Sequence, residues 1–471
     1  MQTAEQHTTE ADNERKPWTT LILLGLAQFM VILDITVVNV ALPSIGEDLA
    51  FAEGDLQWVI TAYVLFTGGL LMLGGRATDL FGRRRVFLAG LVTFTAASLA
   101  SGLASSPEAL VASRAVQGVG AALLTPGALS IVTTTYTGGQ RTAALAAWSG
   151  ISSAGAAAGV VLGGVLTSGL GWEWVFFINV PVGVATALGV LRIVPAAPGT
   201  AAGRALDVMG AVTAVGGLVV LLYGIEGANE HGWGSARTLG LLLASAALLA
   251  TFVGIERRVR EPIVPPKTWG NRPLVSGMSL IFVVTAFMVA VFFLNTLYLQ
   301  YVLGWSALET GLAFLPLVVV IAAGATAAGR LVARVGSRNL AAAGLLLAAA
   351  GAALLAVAPD VSTYATDVLP GLVVLGFGVG VVLPAASIAA MSDVTEETAG
   401  VASGLVTTGH ELGAAFGVAA ISAVATAAST FVAGYTDGFV VVAAVAALMA
   451  VVALLVTPAV RPAAANAGAH G

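Results

Sequence analysis

Long apolar runs separated by short polar turns make up most of this 471-residue sequence. A helix that crosses a bilayer needs about 20 apolar residues. Runs of suitable length lie at 18–42, 55–75, 86–104, 107–133, 142–168, 174–194, 206–225, 237–256, 274–299, 308–330, 339–358, 365–391, 399–428 and 437–458. The pattern therefore predicts an all-α polytopic membrane protein with fourteen spans.

The positions of lysine and arginine set the predicted topology. All 20 basic residues except Arg114 and Arg237 fall in the two termini, in the even-numbered connections between spans, or at the span ends that lead into those connections. Because basic residues stay on the cytoplasmic side of a membrane, both termini are predicted to be cytoplasmic. An acidic even-numbered connection near Asp393 does not change this prediction, because acids weigh little in the rule.

Composition agrees with a membrane protein and excludes several kinds of chemistry. Only 10% of residues are charged, against roughly 25% in a soluble domain, and the mean hydropathy is +0.95. The chain has no cysteine, and its four histidines lack metal-ligand spacing. It has no G-x-x-x-x-G-K-[ST] nucleotide-binding loop and no Ser/His/Asp arrangement. We therefore expect no enzyme activity, no cofactor, no metal site and no nucleic-acid partner.

A short basic turn occurs twice in the sequence. The segments Gly75–Arg85 and Gly329–Arg338 share an opening Gly–Arg, a glycine seven residues on and an arginine nine residues on. A glycine trio with a four-residue period recurs at the same offset of 254 residues, and such a trio lines one helix face, where another helix can pack closely. The predicted helix-packing glycines are Gly155, Gly159, Gly163, Gly409, Gly413 and Gly417. The repeats predict two similar halves.

The spans and the repeat together predict the domain boundaries. We expect a disordered cytoplasmic tail at 1–17, which lacks the basic region of a signal peptide, and a six-helix bundle at 18–194. Two extra transmembrane helices and a basic cytoplasmic linker follow at 195–273. A second six-helix bundle occupies 274–458, and a cytoplasmic tail follows at 459–471.

Four motifs resemble those of a known family. The turn Gly75–Arg84 resembles G-x-L-x-D-R-x-G-R-[KR], with Ala77 and Leu80 as departures. The other motifs are Leu33–Pro43, Arg114–Ala121, which reads R-x-x-Q-G-x-G-A, and Gly171–Pro181, which is similar to G-W-R-W-x-F-x-I-N-x-P with Glu173 in place of arginine. Together they resemble the major facilitator superfamily and, within it, the fourteen-helix drug:proton antiporters.

This resemblance implies two six-helix bundles, two linking transmembrane helices and a cavity between the halves. It implies proton-coupled export of lipophilic drugs, antibiotics or toxic metabolites by alternating access, in the cell (inner or plasma) membrane. The expected partners are a lipophilic small molecule, protons and the lipid bilayer, and the protein is expected to be a monomer. The fifth-helix motif usual in exporters, G-x-x-x-G-P-x-x-G-G, has Val160 in place of its proline. A metabolite:proton symporter or an importer on the same fold is therefore the alternative.

Three charges fall well inside predicted spans, namely Asp34, Arg114 and Glu411. A charge at the bilayer centre costs about 3 kcal/mol on insertion scales, so each should face a cavity or a partner. We expect all three to take part in proton coupling, although Asp34 and Arg114 could equally form a structural pair. His410 precedes Glu411 directly, and consecutive helical residues are not expected to form a dyad.

The remaining candidates belong to a gate and a cavity. The resemblance implies that the basic turn forms a cytoplasmic latch whose residues are Gly75, Asp79, Gly82, Arg83 and Arg84. Topology alone would explain the arginines, but not the glycines or the acid. The residues expected to line a substrate cavity are Asn39, Gln117, His410, Glu411 and Glu226.

Overall fold

The structure is a computed structural model that describes residues 2–52, 54–196, 206–259, 262–264, 266–357, 363–395 and 398–460. Within these ranges the regular structure is helical, and 14 helices are long and apolar enough to cross a membrane. We number them as spans 1 to 14: Trp18–Asp48, Asp55–Phe81, Arg83–Gly102, Pro107–Thr135, Ala143–Leu170, Trp174–Ile193, Val208–Ile225, Ala236–Glu256, Arg272–Val302, Ala307–Val335, Ser337–Leu355, Tyr364–Met391, Val401–Ala427 and Phe431–Val456. The predicted number of spans is confirmed.

The first helix begins well before the first span. It runs from Gln2 to Asp48, so its backbone is helical through residues 2–17, where the sequence predicts a disordered tail. The segment contains several good helix formers, Ala, Glu, Gln, Arg and Lys, and extending an existing helix needs no new nucleus. Of the other predicted tail, residues 461–471 lie outside the described residues.

Several spans are interrupted. Span 6 consists of Trp174–Phe177 and Asn179–Ile193, and span 10 consists of Ala307–Ala313 and Leu315–Val335. Span 9 ends in the π-helical turn Tyr298–Val302. The interruption in span 6 places Asn179 at the start of a new helix.

The chain divides into two compact units. Unit 1 consists of Met1–Val215 and Ser306–Leu312, and unit 2 consists of Gly216–Trp305 and Ala313–Gly471. The division falls inside span 7, and the start of span 10 belongs with unit 1. Within unit 1, the backbone of Leu308 lies where a Cβ at Gly164 would be, and the Val160 carbonyl lies where a Cβ at Gly311 would be. This first part of span 10 therefore packs directly on span 5.

Each unit repeats one pattern of close helix packing. In unit 1, Gly118 lies against the backbone of span 2 and Gly120 against the backbone of span 3. In unit 2, Gly376 lies against span 10 and Gly378 against the backbone of span 11. In both units, therefore, a Gly-x-Gly pair packs one helix between two others: span 4 between spans 2 and 3, and span 12 between spans 10 and 11.

The two glycine trios also occupy equivalent places. Gly155, Gly159 and Gly163 of span 5 face span 1, where a Cβ at Gly163 would lie 2.9 Å from the Val37 carbonyl oxygen. Gly409, Gly413 and Gly417 of span 13 face span 9, where added Cβ atoms would meet Met278, Phe282 and Ala286. Larger residues on these faces would push the paired helices apart.

Candidate functional site

Asp34 and Arg114 meet in the interior of unit 1. Asp34 lies on span 1, about 24 Å along the helix from Trp18, and Arg114 lies on span 4. Arg114 Nη1 donates to Asp34 Oδ2 at 2.5 Å, and the two side chains are only 1% and 0% exposed. Such a buried pair is sensitive to the loss of either member, because the other charge would remain buried without a partner.

The guanidinium of Arg114 has several further partners. Its Nε donates to the Val59 carbonyl at 2.9 Å, and Nη1 also donates to Gln117 Oε1 at 2.8 Å. The ring centroid of Tyr63 lies 4.3 Å from its central carbon, close enough for a cation–π interaction. These contacts fix the cation on spans 2 and 4 independently of the carboxylate.

The Asp34 carboxylate accepts hydrogen bonds at both of its oxygens. Its Oδ1 accepts from Gln117 Nε2 at 2.8 Å and from Asn179 Nδ2 at 3.0 Å. Both amides also approach Ser98 Oγ, at 3.3 Å and 2.9 Å, and Ser98 donates to the Phe176 carbonyl at 3.1 Å. The network therefore joins spans 1, 2, 3, 4 and 6 around one carboxylate.

The R-x-x-Q-G-x-G-A sequence explains how span 4 reaches this position. Arg114 and Gln117 are three residues apart and so share one helix face. The next residue, Gly118, lies against the Tyr63 carbonyl of span 2. The absence of a side chain at Gly118 brings span 4 close enough to span 2 for Arg114 to bond the Val59 carbonyl.

The Gly171–Pro181 segment brings span 6 to the same network. Gly171 has a φ of 104°, a conformation that favours glycine, and it ends the helix of span 5. Trp172 Nε1 then donates to Asp48 Oδ2 at 2.9 Å, which holds the segment on the end of span 1. Asn179 follows at the helix break and reaches Asp34. Gly171, Trp172 and Asn179 of this motif thus each have a local structural role.

The structure places two predicted cavity residues in the protein interior. Gln117 is fully buried, and both ends of its amide are bonded within the Asp34 network. Asn39 is also buried and donates to the Ile35 carbonyl of its own helix at 2.8 Å. Sequence reasoning missed Asn179 and Ser98 as network members. The motif Gly171–Pro181 could have drawn attention to Asn179, whereas Ser98 has no distinguishing pattern.

His410 and Glu411 lie closer together than expected for consecutive residues that are not an obvious dyad. His410 Nδ1 lies 3.7 Å from Glu411 Oε1, because two flexible side chains can converge even where consecutive Cβ atoms diverge. Glu411 is 13% exposed and lies about 15 Å along span 13 from Val401. The side chain of Glu226, the other acid expected at the cavity, lies outside the described residues.

The basic turn has a defined backbone conformation. Gly82 has a φ of 92° and its counterpart Gly336 has a φ of 84°, so both turns use a conformation that favours glycine. Arg84 Nη2 donates to the Leu191 carbonyl in the last turn of span 6 at 2.7 Å. The contact ties the start of span 3 to the end of span 6.

The other predicted gating residues are less constrained. Asp79 is exposed, and no hydrogen bond or ion pair of its side chain is found in the described part of the chain. Arg83 is half-buried. A Cβ at Gly75 would meet only Pro126, at an ordinary 3.9 Å, whereas one at the neighbouring Gly74 would clash with the Ala122 carbonyl. Close packing here therefore requires glycine at Gly74 and not at Gly75.

Comparison with known proteins identifies the family. The sequence profile of the Major Facilitator Superfamily matches residues 24–418. The chain belongs to the major facilitator superfamily. Among curated relatives, this superfamily member is 40% identical to puromycin resistance protein pur8 of Streptomyces alboniger, over 78% of this chain and 74% of the relative. It is 41% identical to cephamycin export protein CmcT of Amycolatopsis lactamdurans, over 69% and 68%, and 36% identical to the lincomycin resistance protein of Streptomyces lincolnensis, over 78% and 76%.

Solved structures give the same fold. A POT peptide transporter in complex with sulfate aligns with a TM-score of 0.64 at 19% identity, covering 92% of this chain and 93% of that one. A POT family transporter bound to a thioalcohol-conjugated peptide aligns with a TM-score of 0.67 at 14% identity, over 92% and 95%. The superfamily member described here is thus a multi-pass membrane protein with the fold of a secondary transporter.

Proposed function

We propose that this protein exports lipophilic drugs or antibiotics across the cell membrane in exchange for protons. The observation that carries the proton coupling is the Asp34–Arg114 pair, which is buried between spans 1 and 4 and hydrogen-bonded to spans 2 and 6 as well. The drug substrate is supported by three curated relatives named for puromycin resistance, cephamycin export and lincomycin resistance.

Asp34 is the proposed proton carrier. Taking up a proton removes its negative charge, and with it the Coulomb attraction to Arg114. Arg114 retains the Val59 carbonyl, Gln117 and the Tyr63 ring as partners, so its cation does not become isolated. The proton can therefore change the contacts between span 1 and span 4 while these neutral partners still hold the guanidinium.

Glu411 is the proposed second acid. Its partial exposure and its depth in span 13 suit a carboxylate that attracts a cationic drug or carries a proton. His410 is the more exposed partner, and its charge depends on protonation.

A metabolite:proton symporter or importer is the second candidate function, favoured by Val160. The packing at this position works without proline, since the backbone carbonyl of Val160 contacts span 10 at Gly311. A proline would retain that carbonyl, although it would also remove an N–H donor and bend the helix. The similarity to export and resistance proteins therefore outweighs this departure.

Further proposals concern the arrangement of the protein in the membrane. We place both termini in the cytoplasm and the basic turn at the cytoplasmic face, and we propose a monomer. The latch role of Gly82 and Arg84 is supported by the glycine-dependent turn and by the bond from Arg84 to the end of span 6. Two six-helix bundles joined by spans 7 and 8 remain the proposed domain organisation.

The test measures accumulation of ethidium, and growth in puromycin or lincomycin, in cells that lack their own pumps. The intact protein should lower accumulation and raise drug tolerance, and a protonophore or Asp34→Asn should abolish both effects. Glu411→Gln should reduce export of the cation. Asp437→Asn changes an exposed acid on span 14 and should behave as the intact protein. Raised accumulation with the intact protein would contradict export and favour the importer or symporter.

A further inference from the structure

We propose that Asn179 and Ser98 read the protonation state of Asp34 and transmit it to the start of span 6. This inference rests on the proposed proton coupling at Asp34 and adds two positioning residues to it. Asn179 Nδ2 lies 3.0 Å from Asp34 Oδ1 and 2.9 Å from Ser98 Oγ. Ser98 in turn donates to the Phe176 carbonyl at 3.1 Å, so a continuous chain of hydrogen bonds connects the carboxylate to span 6.

The proton must arrive at the oxygen that faces the two amides. A carboxylate only accepts hydrogen bonds, whereas a protonated carboxyl must also donate one. Oδ2 faces Arg114, whose guanidinium has donors but no acceptor for a new proton. The proton therefore goes to Oδ1, where the partners are the N–H groups of Gln117 and Asn179. The new O–H group of Asp34 and an amide N–H group, both donors, would then point at each other unless one amide turned.

Asn179 is the amide that can turn. The Gln117 oxygen accepts from Arg114 at 2.8 Å, so this contact fixes which end of the Gln117 amide faces Asp34. No hydrogen bond to the Asn179 oxygen is found in the described part of the chain. A turn of about 180° exchanges the donor and acceptor ends of an amide. Asn179 would then accept the new proton of Asp34.

The turn has a consequence for Ser98. Its hydroxyl has one proton, which it donates to the Phe176 carbonyl while it accepts from both amides. Once Asn179 presents its oxygen, that proton is drawn to Asn179, because two acceptors would otherwise face each other. The carbonyl of Phe176, in the short helix Trp174–Phe177, then loses its bond to span 3. Proton uptake on span 1 thus loosens the start of span 6.

Few charged or titratable groups compete with this relay. Arg114 from span 4 is the charged side chain that the described contacts place on Asp34, and Tyr63 from span 2 lies against its guanidinium. Spans 3 and 6 contribute Ser98 and Asn179, neither of which titrates. Span 5 approaches span 1 here with Gly159, which has no side chain.

Hydrogen exchange in the purified full-length protein tests the relay at one pH, without substrate. Asp34→Asn imitates the protonated state, because the new amide must present its oxygen to Arg114 and its N–H groups to Asn179. Hydrogen exchange in peptides covering 174–181 should become at least about threefold faster. This factor corresponds to an interaction energy near the low end of the range for residues in contact. Peptides covering 58–63 of span 2 should change little, because Arg114 still binds Val59 there.

The deciding comparison repeats the substitution in two further backgrounds. In Asn179→Leu, which can neither donate nor accept, Asp34→Asn should no longer accelerate exchange at 174–181. Ser98→Ala is a smaller change that should remove the same effect if Asn179→Leu fails to fold. If Asn179 and Ser98 had only a structural role, both substitutions would destabilise the protein, and Asp34→Asn would still accelerate exchange at 174–181. That result, or no acceleration by Asp34→Asn in the intact background, would overturn the proposal. Since exchange is measured without a gradient, a failure of drug export in cells would overturn the proposed function separately.

Discussion

At the residue scale, the charge buried in unit 1 is held by geometry that only arginine provides. The Arg114 guanidinium serves three acceptors on three different spans: the Val59 carbonyl, Gln117 Oε1 and Asp34. Its planar group offers five donors in a fixed arrangement, whereas lysine offers three donors from one nitrogen atom. Nε bonds the Val59 carbonyl and Nη1 bonds the other two acceptors, so a single ammonium nitrogen cannot take the place of both donor atoms.

Arg114→Lys should therefore abolish proton-driven export while the protein still folds. At least one buried acceptor would lose its donor, at a cost of about 1–3 kcal/mol in the free energy of unfolding. Drug accumulation in cells and thermal unfolding of the purified protein measure the two effects. Arg141→Lys, at an exposed arginine, is the control and should change neither. Full export by Arg114→Lys would show that only the positive charge matters.

At the element scale, the glycine-lined faces determine where the helices lie. Span 5 reaches the backbone of span 1 because Gly159 has no side chain, and an added Cβ there would meet the Leu33 carbonyl at 3.1 Å and the Thr36 side chain more closely. Leu33 immediately precedes Asp34. Packing by span 5 therefore also fixes the helix that carries the proposed proton carrier.

Gly159→Val should destabilise the protein and impair export. Inserting a branched side chain into a tight helix contact costs about 1–3 kcal/mol and would move span 1 relative to Arg114. Gly169→Val provides the matched control on the same span, since nothing lies within 4 Å of a Cβ there. Yields of folded protein and unfolding temperatures should separate the two variants. Equal values would show that the close contact with span 1 is not required.

At the scale of the whole molecule, the fourteen spans and the placing of basic residues on one side of the membrane predict the topology. The connection between spans 7 and 8 should be extracellular, whereas the basic linker between spans 8 and 9 should be cytoplasmic. Gly234 lies in the first segment and Gly270 in the second, and neither has any atom within 4 Å of an added Cβ. The natural absence of cysteine makes both positions suitable for labelling.

Gly234→Cys should react with a membrane-impermeant maleimide in intact cells. Gly270→Cys should react only after the membrane is made permeable, because the reagent must reach the cytoplasmic face. The extent of labelling on a gel measures each outcome, and the unaltered cysteine-free protein is the blank. Labelling of Gly270→Cys in intact cells would invert the proposed orientation of both termini.

The sequence by itself determined the features that depend on the bilayer and on local geometry. A hydrocarbon layer demands a fixed length of apolar helix, so the fourteen spans could be counted from the pattern alone. Burying a charge in that layer is costly, which singled out Asp34 and Arg114. The repeated glycines likewise indicated close helix packing before any partner helix was known.

Only the tertiary structure decided which side chains meet. Asp34 and Asn179 are 145 residues apart in the sequence, and neither spacing nor composition relates them. Their contact depends on the rotation and depth of the spans, which pack through Gly118 and Gly159. Rotation and depth in turn depend on many small contacts at once. Gln117 and Asn39 are likewise buried in the interior, and their place at a substrate cavity stays a prediction. Hydropathy indicates which segments lie in the membrane, whereas the neighbouring helices determine which way each face of a segment points.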